Sequence, residues 1–564
     1  MIATASLALS LLTSDEVVVR DARSPQRAWD ARMVEHLLNR AAFGATREEI
    51  EAGVRMGCGA LIDELFRPRP EVEWPVPVLL RWEDFGLTHL QLPLEGSSFM
   101  QMQPGERMAL CKESKSSDRE AFTATFEQWF HSMVDGRDPL RDRMTLFWHG
   151  FFTTSWAVNK RKYELVEQFQ WLRGQATGSY ADLLRGIGAD PAMLQYLDNT
   201  SNSRGHPNEN LARELMELYS LGEGHYTEVD VREAARALTG AVCTSEGSYA
   251  FLADAHDSGS KFILGERGNH GPAELVEILL HQEACARWVA GRLIAYFEGL
   301  APGEQRLASY AEFLRRGNYE VEPFLRRLFS DPDFYRDEAV ATRISAPIEH
   351  LAGICHKLEV HPSNEYLQRA TNLLGQAFYF PPSVKGWSDG ILWMSNDAMM
   401  RRSNCAGLIA GVYGSAELSL RAQAWIDRER DGMHDDAEAA ALEWQPIEAE
   451  IKALDDSKRA VFDLQRQLDP HSAWRPWDPC GELLPRLREQ GLAQPSAWME
   501  CVLEDWLAIP VPRETLAMAT RFLHERCARA GIDENTLLED PAGFAQVMPG
   551  IAHLVFSLPE AQLR

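Results

Sequence analysis

Apolar residues spaced three and four positions apart recur along most of this chain, and this spacing limits its fold more than any other feature. In "DARMVEHLLNRAAFG", Leu37 and Ala41 fall on one face of a helix, and Gly44 ends the run. The next run begins at Thr46, and Glu49 stands where a capping box places its carboxylate. The repeated pattern predicts a mainly α-helical protein, built as a large, irregular multi-helix domain.

One segment departs from the helical period. "SYAFLADAHDSGSKFILG" has β-rich character on both sides of a turn, which predicts a small β-hairpin element near residues 248–265. No fixed-period repeat is visible, so a solenoid is disfavoured. We expect four units in chain order: an N-terminal extension (1–28), the main helical domain (29–425), a charged helical excursion (426–470) and a C-terminal helical part packing on the main domain (471–564).

Composition excludes several classes of partner. The chain carries 57 basic and 83 acidic side chains, and its formal net charge of -26 repels nucleic acid and anionic lipid surfaces. No window reaches about 18 uninterrupted apolar residues, so we expect no membrane span. No Lys or Arg precedes Arg20, so the charged start of a secretory signal is missing and a cytoplasmic location is predicted.

The sequence also lacks the common cofactor motifs. Its nine cysteines are scattered and form no C-x-x-C pair, which fits free thiols in a reducing compartment. The phosphate-binding, dinucleotide-binding, zinc-protease, serine-hydrolase and haem patterns are missing as well. The sequence therefore does not identify a cofactor.

The stretch "LDNTSNSRGHPNENLARELMELYSLG" joins an Asn-rich loop to a helix that we expect to begin at Pro207. Leu211 and Leu215 belong to the apolar stripe of this helix. Its other side carries polar groups, namely Glu209, Asn210, Arg213, Glu214 and Glu217. These groups form either a solvent-exposed face with i,i+4 ion pairs or part of a working site.

Oxygen-bearing residues in the same loop follow the spacing of a calcium loop. Counted from Asp198, positions one, three, five and twelve are Asp198, Thr200, Asn202 and Glu209. Ser203 stands where the sharp turn of such a loop has Gly, and only two of these residues are carboxylates. Asp198, Asn202 and Glu209 are thus candidate ligands of a divalent metal in an incomplete motif.

Two histidines are candidates for catalysis. In "AHDSGSK", His256 and Asp257 can move a proton or bind a metal while Lys261 binds an anion, and the alternative is an Asx-type turn around a satisfied histidine. In "LFWHGFFTTS", His149 is either a packed residue or a catalytic one.

A stiff aromatic loop is the last candidate. "PPSVKGWSDGILW" follows two prolines with Lys385 and Trp387, and Trp393 comes shortly after. Such a loop either walls a pocket or caps the core.

Several of these segments together resemble the bacterial family known as domain of unknown function 1800. The resemblance rests on "HLLNRAAFGAT", "RMTLFWHGFFTTS", "DPAMLQYLDN", "PNENLARELMELYSLG", "YTEVDVREAARALTG", "HDSGSKFILG", "PPSVKGW" and "SLPEAQL", which follow the family's order and span nearly the whole chain. Two positions depart from the family's pattern. Phe151 replaces the second histidine of a His-x-His pair, and "RISAPIEH" lacks the lysine of a Lys-Ser-Pro element.

The resemblance favours a shared polar cluster over a plain solvent face, because "PNENLARE" and "HDSGSK" both belong to it. We therefore predict that Glu209, Arg213 or Glu214 approaches the turn that holds His256 and Lys261. The candidate catalytic residues are Glu209, Glu214, His256, Asp257 and His149. Ligand binding is assigned to Asn208, Asn210, Arg213, Lys261, Lys385 and Trp387.

Two functions from different classes fit this cluster. In one, it lines a ligand-binding or catalytic cleft for an unknown small molecule. In the other, the protein is a non-enzymatic scaffold, the same charges form an ion-pair network, and the loop around Trp387 binds a protein or polymer. The sequence does not decide whether the protein is an enzyme.

Overall fold

The computed structural model describes residues 29–70, 73–74, 102–159, 163–244, 248–387, 390–412, 445–449, 452, 477–492, 494–507 and 511–564. The predicted N-terminal extension and nearly all of the predicted charged excursion lie outside these residues.

The first ten helices of the described chain precede its strands. They are α1 (Ala31–Ala41), α2 (Arg47–Met56), α3 (Cys58–Leu65), α4 (Pro104–Asp135), α5 (Pro139–Phe151), α6 (Tyr163–Gly174), α7 (Tyr180–Ile187), α8 (Pro191–Tyr196), α9 (Asn210–Glu217) and α10 (Glu228–Ala237). Four short strands follow, namely β1 (Ala241–Cys243), β2 (Tyr249–Phe251), β3 (Lys261–Ile263) and β4 (Glu266–Gly268).

The rest of the described chain is again helical. Its helices are α11 (Pro272–His281), α12 (Glu283–Glu298), α13 (Glu304–Arg316), α14 (Val321–Phe329), α15 (Pro347–Leu358), α16 (Asn364–Leu373), α17 (Asn396–Ile409), α18 (Leu483–Glu489), α19 (Pro495–Trp506), α20 (Arg513–Ala530) and α21 (Pro541–Phe556). The fold is mainly α with a small β element, as the periodicity predicted.

Local capping explains where several helices begin. At α2 the backbone N–H of Glu49 donates to Thr46 Oγ1 over 3.3 Å, and that of Thr46 donates to Glu49 Oε2 over 2.8 Å, which completes the predicted capping box. Thr227 and Asp230 form the same reciprocal pair at α10. These contacts satisfy N–H groups that the first helical turn leaves without a partner.

The β element differs from the predicted single hairpin in its pairing. The strand Tyr249–Phe251 pairs antiparallel with β1, which precedes the predicted segment. The strand Lys261–Ile263 pairs with β4 through Leu264 and Gly265, which both have positive φ. The two predicted strands therefore belong to two separate hairpins.

Buried side chains form two hydrophobic cores that meet at α5. The first core joins α1 and α3 to the helices from α7 to α14, and it takes Trp148 from α5. The second joins α4 and most of α6 to the helices from α15 to α21, and it takes Leu146 from α5. Because α5 packs in both cores, its position is fixed. The residues directly after α5 are therefore held in place as well.

No helix that the structure describes is long and apolar enough to cross a membrane.

Candidate functional site

The predicted polar helix begins later than expected. Its first helical residue is Asn210, three residues after Pro207. Asn208 accounts for the delay, because its side-chain oxygen accepts from the backbone N–H of Asn210 and its own N–H donates to Asn202 Oδ1. Such local bonds offer the backbone an alternative to the helix.

Arg213 joins two helices at the protein surface. Its guanidinium donates to both carboxylate oxygens of Glu228 over 2.8 Å and to Glu209 over 3.1 Å. Hydrogen bonds from Arg213 lower the pKa of Glu228. Arg213 therefore ties α9 to the first turn of α10, and Glu209 is part of the same ion pair.

The second predicted half of the cluster is held by a different arginine. Arg236 donates to the two oxygens of Asp257 over 2.7 and 3.2 Å and lowers the pKa of that carboxyl to about 2. Lys261 donates to the carbonyl oxygens of Asp257 and Gly259 from a buried position. His256 is also buried, and its Nδ1 lies 2.8 Å from the carbonyl oxygen of Thr239.

Helix α10 separates the two predicted halves. Glu228 is its first residue and Arg236 comes eight residues later, which corresponds to a rise of about 12 Å. Among the contacts of the described residues, no hydrogen bond or ion pair joins Glu209, Arg213 or Glu214 directly to the turn 256–261.

The Asn-rich loop is bound to the end of α10. The buried side chains of Asn202 and Asn199 donate to the carbonyl oxygens of Ala235 and Ala241, each over 2.9 Å. Asp198 accepts from Ser201 and Asn208. Within the described part of the chain, no three His, Cys, Asp or Glu side chains form a group that could hold a metal ion. The candidate ligands Asp198, Asn202 and Glu209 thus each have protein partners.

His149 lies inside an aromatic cage. Its ring stacks on Trp387 and Phe378 at centroid distances of 4.9 and 5.2 Å, and Tyr379 meets it edge-on at 4.5 Å. Within the described residues, neither ring nitrogen has a hydrogen-bond partner. Burial lowers the pKa of His149 to about 3, so the imidazole is neutral near pH 7.

The loop after the two prolines docks directly on the end of α5. Gly386 has φ +83°, and a Cβ there would lie 2.7 Å from the carbonyl oxygen of Gly150. Only glycine fits such a conformation and such a close approach. Lys385 next to it lies 3.3 Å from Glu217 and 3.5 Å from Glu223, so the structure brings this predicted residue to the acidic edge of α9.

The docked loop forms one wall of a cavity of about 380 Å³. The predicted residues Lys385 and Trp387 both line it. Its other lining comes from α5, α12, the segment before α15, the first turn of α15, the residues after α16, and the chain around Trp393. It includes Phe147, Gly150, Phe151, Arg292, Tyr296, Gly299, Thr342, Arg343, Glu349, Gln376 and Gly390. This volume lies within the range of small-molecule sites.

Glu349 organises two guanidinium groups at this cavity. It is fully buried, accepts from both Nη atoms of Arg343 over 2.6 and 2.7 Å, and lies 2.9 Å from Arg143 Nη1. Burial alone would raise the pKa of Glu349, but these two cations outweigh it and hold the pKa below its ordinary value. The carboxylate is ionised at every pH near neutrality.

Three further buried arginines lie around Glu349 and the two arginines that contact it. Arg564 and Arg402 donate to Ser345, and burial lowers their pKa to about 9 and about 10. Arg40 donates through Nη2 to Ala339, while its Nε and Nη1 have no hydrogen-bond partner among the described residues. A Cβ on Gly299, which lines the cavity, would lie 3.1 Å from Arg40 Nη1, so that group lies directly behind the cavity wall.

Sequence reasoning missed these arginines although several of its segments contain them. Arg40 is in "HLLNRAAFGAT", Arg143 opens "RMTLFWHGFFTTS", and both Arg343 and Glu349 are in "RISAPIEH". Arg143 and Arg40 stand within largely apolar helical runs, where a charged residue is rarely buried without a partner. A charged residue within an apolar helical run is therefore the sequence signal by which these arginines could have been predicted.

Comparison with known proteins assigns a family. The model of the family described as "Protein of unknown function (DUF1800)" matches residues 36–563. No curated protein and no solved structure matches the chain. Because the match covers almost the whole chain, the protein belongs to the DUF1800 family, as the resemblance implied.

Proposed function

We propose that this protein binds a small anionic molecule in the cavity between α5, α12 and the loop of Trp387. One observation carries the proposal: arginines outnumber carboxylates around Glu349, which lines this cavity together with Arg343. Arg40, Arg143, Arg343, Arg402 and Arg564 surround the single carboxylate of Glu349.

Neighbouring acids do not balance this charge. Glu298, which is buried near Arg40, is already shared by Arg306 and Arg336. An ion buried without a partner costs several kcal/mol, so a bound anion would stabilise this part of the protein.

The contrast with the whole chain strengthens the argument. The protein carries a formal net charge of -26, so a solvent-facing cation would find acidic neighbours easily. Burial lowers the pKa of Arg40, and the neighbouring Arg343 and Arg143 lower it further. A cationic interior in an acidic protein is expected where an anion has to be selected and held.

The cavity favours binding over proton transfer. Glu349 is the carboxylate that the described lining provides, and two arginines already occupy its oxygens. The nearby His149 is enclosed by Trp387 and other rings and is not among the lining residues. Arg292 and Lys385 are exposed lining residues and can meet an incoming anion first.

A non-enzymatic scaffold remains the second candidate for the predicted cluster on α9 and the turn 256–261. The specific support is that its charges pair with one another: Arg213 with Glu209 and Glu228, and Arg236 with Glu233 and Asp257. These pairs connect α9, α10 and the turn, which is what an ion-pair network does.

The anion proposal can be tested by thermal unfolding with a panel of anions (phosphate, sulfate, citrate and acetate) at constant ionic strength. A ligand that binds only the folded state at 100 times its Kd stabilises by about 2.7 kcal/mol. We expect at least one anion to raise Tm by several degrees. The Arg292→Gln, Lys385→Gln variant, which removes the two exposed cations of the lining, should show a smaller rise, while the arginines around Glu349 keep part of it.

Arg287→Gln is the matched control. Arg287 lies on the same helix as Arg292 but pairs with Glu304 and lines no part of the cavity. The control should keep the full response. Equal anion responses in all three proteins, or none in the wild type, would count decisively against the proposal.

A further inference from the structure

We infer that the protein binds a single halide ion, such as chloride, in a second and much smaller cavity at α15. This small cavity has a volume of about 30 Å³ and lies between α1, α15, the ends of α19 and α21, and the last residues of the given sequence. It shares no lining residue with the cavity of the proposed function, so the inference goes beyond that proposal.

Two buried side chains that line the small cavity have a polar atom without a hydrogen-bond partner among the described residues. These atoms are His350 Nε2 and Arg564 Nη1, and the two residues are 2% and 7% exposed. The rest of the Arg564 guanidinium is bonded, because Nε donates to Ser345 over 2.9 Å and Nη2 donates to the carbonyl oxygen of Glu349 over 2.5 Å. A buried donor without an acceptor destabilises the folded protein, so these two atoms indicate that a molecule binds between them.

The fold holds the Arg564 guanidinium at the small cavity. A Cβ at Gly353 would collide with Nη2 of Arg564 and would lie 2.7 Å from the carbonyl oxygen of Phe43. Glycine is less favourable than alanine inside a helix, but at this position it allows the guanidinium to lie directly against α15. The backbone N–H of Arg564 also donates to the carbonyl oxygen of Arg343 over 2.9 Å. The cation is therefore fixed through both its side chain and its backbone.

The other polar side chains of the lining can also donate. Lys357 Nζ donates to the carbonyl oxygens of Asp505 and Trp506 over 3.1 and 3.2 Å, which uses two of its three N–H groups. Asn39 supplies an amide. Burial lowers the pKa of His350 well below its ordinary value, so its ring is neutral near pH 7, and an anion favours the tautomer with the proton on Nε2. The described lining contains no Asp or Glu, so this set of donors fits an anion.

Charge favours an anion over a water molecule. Burial and the neighbouring Arg143 lower the pKa of Arg564 to about 9, so Arg564 is still a cation at pH 7. No Asp or Glu of the described chain forms an ion pair with it. A water molecule would accept its hydrogen bond but leave the buried charge without a counter-ion, whereas a halide does both. Because five arginines surround Glu349, one halide still leaves the surplus of cations on which the proposed function depends.

The volume of the small cavity selects a monatomic ion. A cavity of this size holds one or two water molecules, and a halide ion is of similar size. Phosphate, sulfate and acetate are larger. The apolar part of the lining includes the buried residues Ile354, Trp506 and Phe556, which exclude solvent from the site. The carboxylates that act on Lys357, those of Glu35 and Asp505, lie outside the lining.

The test is thermal unfolding in sodium gluconate, with gluconate replaced stepwise by chloride or bromide at constant ionic strength. Gluconate is too large for the small cavity. We expect chloride and bromide to raise Tm by several degrees along a curve that saturates as one site fills. The Arg292→Gln, Lys385→Gln variant should show the same rise, because both residues line the other cavity.

Substitutions and crystallography locate the ion. Arg564→Gln should remove the halide response. Arg402→Gln is the matched control, because Arg402 is also buried and also donates to Ser345 but does not line the small cavity, and it should keep the response. Crystals of the wild-type protein grown in bromide should show an anomalous peak within hydrogen-bond distance of Arg564 Nη1 and His350 Nε2. This last measurement does not depend on whether a variant folds.

Three results would overturn the inference. The first is a Tm that does not depend on halide, with only water between His350 and Arg564 in the bromide crystals. The second is a bromide peak at another place and none in the small cavity. The third is an equal loss of the halide response in Arg402→Gln and Arg564→Gln, which would mean that no specific site exists. None of these results bears on the proposed function, which the responses to phosphate, sulfate, citrate and acetate test separately.

Discussion

At the residue scale, His149 shows how a polar residue can serve a core. Its ring stacks between Trp387 and Phe378, and its two nitrogens have no hydrogen-bond partner in the part of the chain that the structure describes. A buried polar group without a partner destabilises the folded state, so the contribution of His149 comes from the shape of its ring. This arrangement links α5 to the loop that walls the cavity.

Replacing His149 by Phe should therefore leave the free energy of unfolding unchanged or raise it by about 1 kcal/mol, because the ring remains and the unpartnered nitrogens are removed. His149→Ala should lower it by about 3 kcal/mol through the space it opens. Urea unfolding measures both. A loss in His149→Phe as large as in His149→Ala would show that the nitrogens hold a partner.

The same histidine should make stability depend on pH. Its pKa is about 3 in the folded protein and about 6.5 in an unfolded chain, so between these values only the unfolded state takes up the proton. Acid therefore destabilises the fold, by about 1 kcal/mol for each pH unit below 6. Unfolding of wild type and His149→Phe between pH 7 and 5 should show the difference growing as pH falls.

Gly386 sets the position of the docked loop through both its backbone and its lack of a side chain. Gly386→Ala should lower the free energy of unfolding by more than 2 kcal/mol, since a positive φ costs about 1 kcal/mol and the Cβ would also meet the carbonyl of Gly150 at 2.7 Å. Gly375→Ala is the control, with φ +84° and no atom within 4 Å of its Cβ. Equal losses by chemical denaturation would disprove the close-contact argument.

At the element scale, α10 links surface features that lie far apart in the sequence. Its first turn binds Arg213 from α9, and Arg236 near its end binds Asp257. The carbonyl of Ala235 accepts from Asn202 of the Asn-rich loop. The helix thereby holds three segments together. Their resemblance to family motifs alone did not show how these segments contact one another.

Asp257→Asn should lower the free energy of unfolding by about 1 kcal/mol at pH 7, because it weakens a charge-assisted, two-bond contact with Arg236. The loss should shrink below pH 4: Asp257 has a pKa of about 2 when folded, and acid removes the benefit of its charge. A double-mutant cycle with Arg236→Gln measures the coupling. Additive effects of the two changes would contradict this role.

Sequence patterns predicted the features that depend on near neighbours. The capping box at Thr46 and the apolar stripe of α9 rest on spacings of three and four residues, which a sequence displays directly. The pairing of Tyr249–Phe251 with β1 was not predictable in this way, because β1 has only three residues and so short a run carries no readable period. Partners across elements are equally hidden: Arg213 pairs with Glu228, not with Glu217 four residues on.

At the scale of the whole molecule, charge is divided between surface and interior. The chain is acidic overall, yet the arginines near the cavity come from α1, α5, α17, the segment before α15 and the end of the sequence. No local pattern reveals this convergence, because its members are separated by up to several hundred residues. The predicted Lys385 and Trp387 line the same cavity, so the sequence singled out two residues of the proposed site.

Glu349 is the residue on which this interior balance depends. Glu349→Gln keeps the shape of the side chain but leaves Arg143 and Arg343 without their counter-ion. Breaking a buried ion pair on one side costs about 3–5 kcal/mol, so we expect a loss of that size in urea unfolding at pH 7. Glu312→Gln, which removes a surface carboxylate paired with Arg315 and Arg316, should change stability little and serves as the control.

Adding an anion should distinguish two possible effects of Glu349→Gln, namely the loss of a counter-ion and a change in the shape of the site. If the arginine excess is what the ligand neutralises, the anion that stabilises the wild type should stabilise Glu349→Gln by at least as much, because one more cation lacks a partner. The difference in Tm with and without that anion, at constant ionic strength, measures this. If the variant had a low Tm that the anion did not raise, Glu349 would be needed for the shape of the site. The excess of arginines would then interact only with other groups of the protein and not with a ligand.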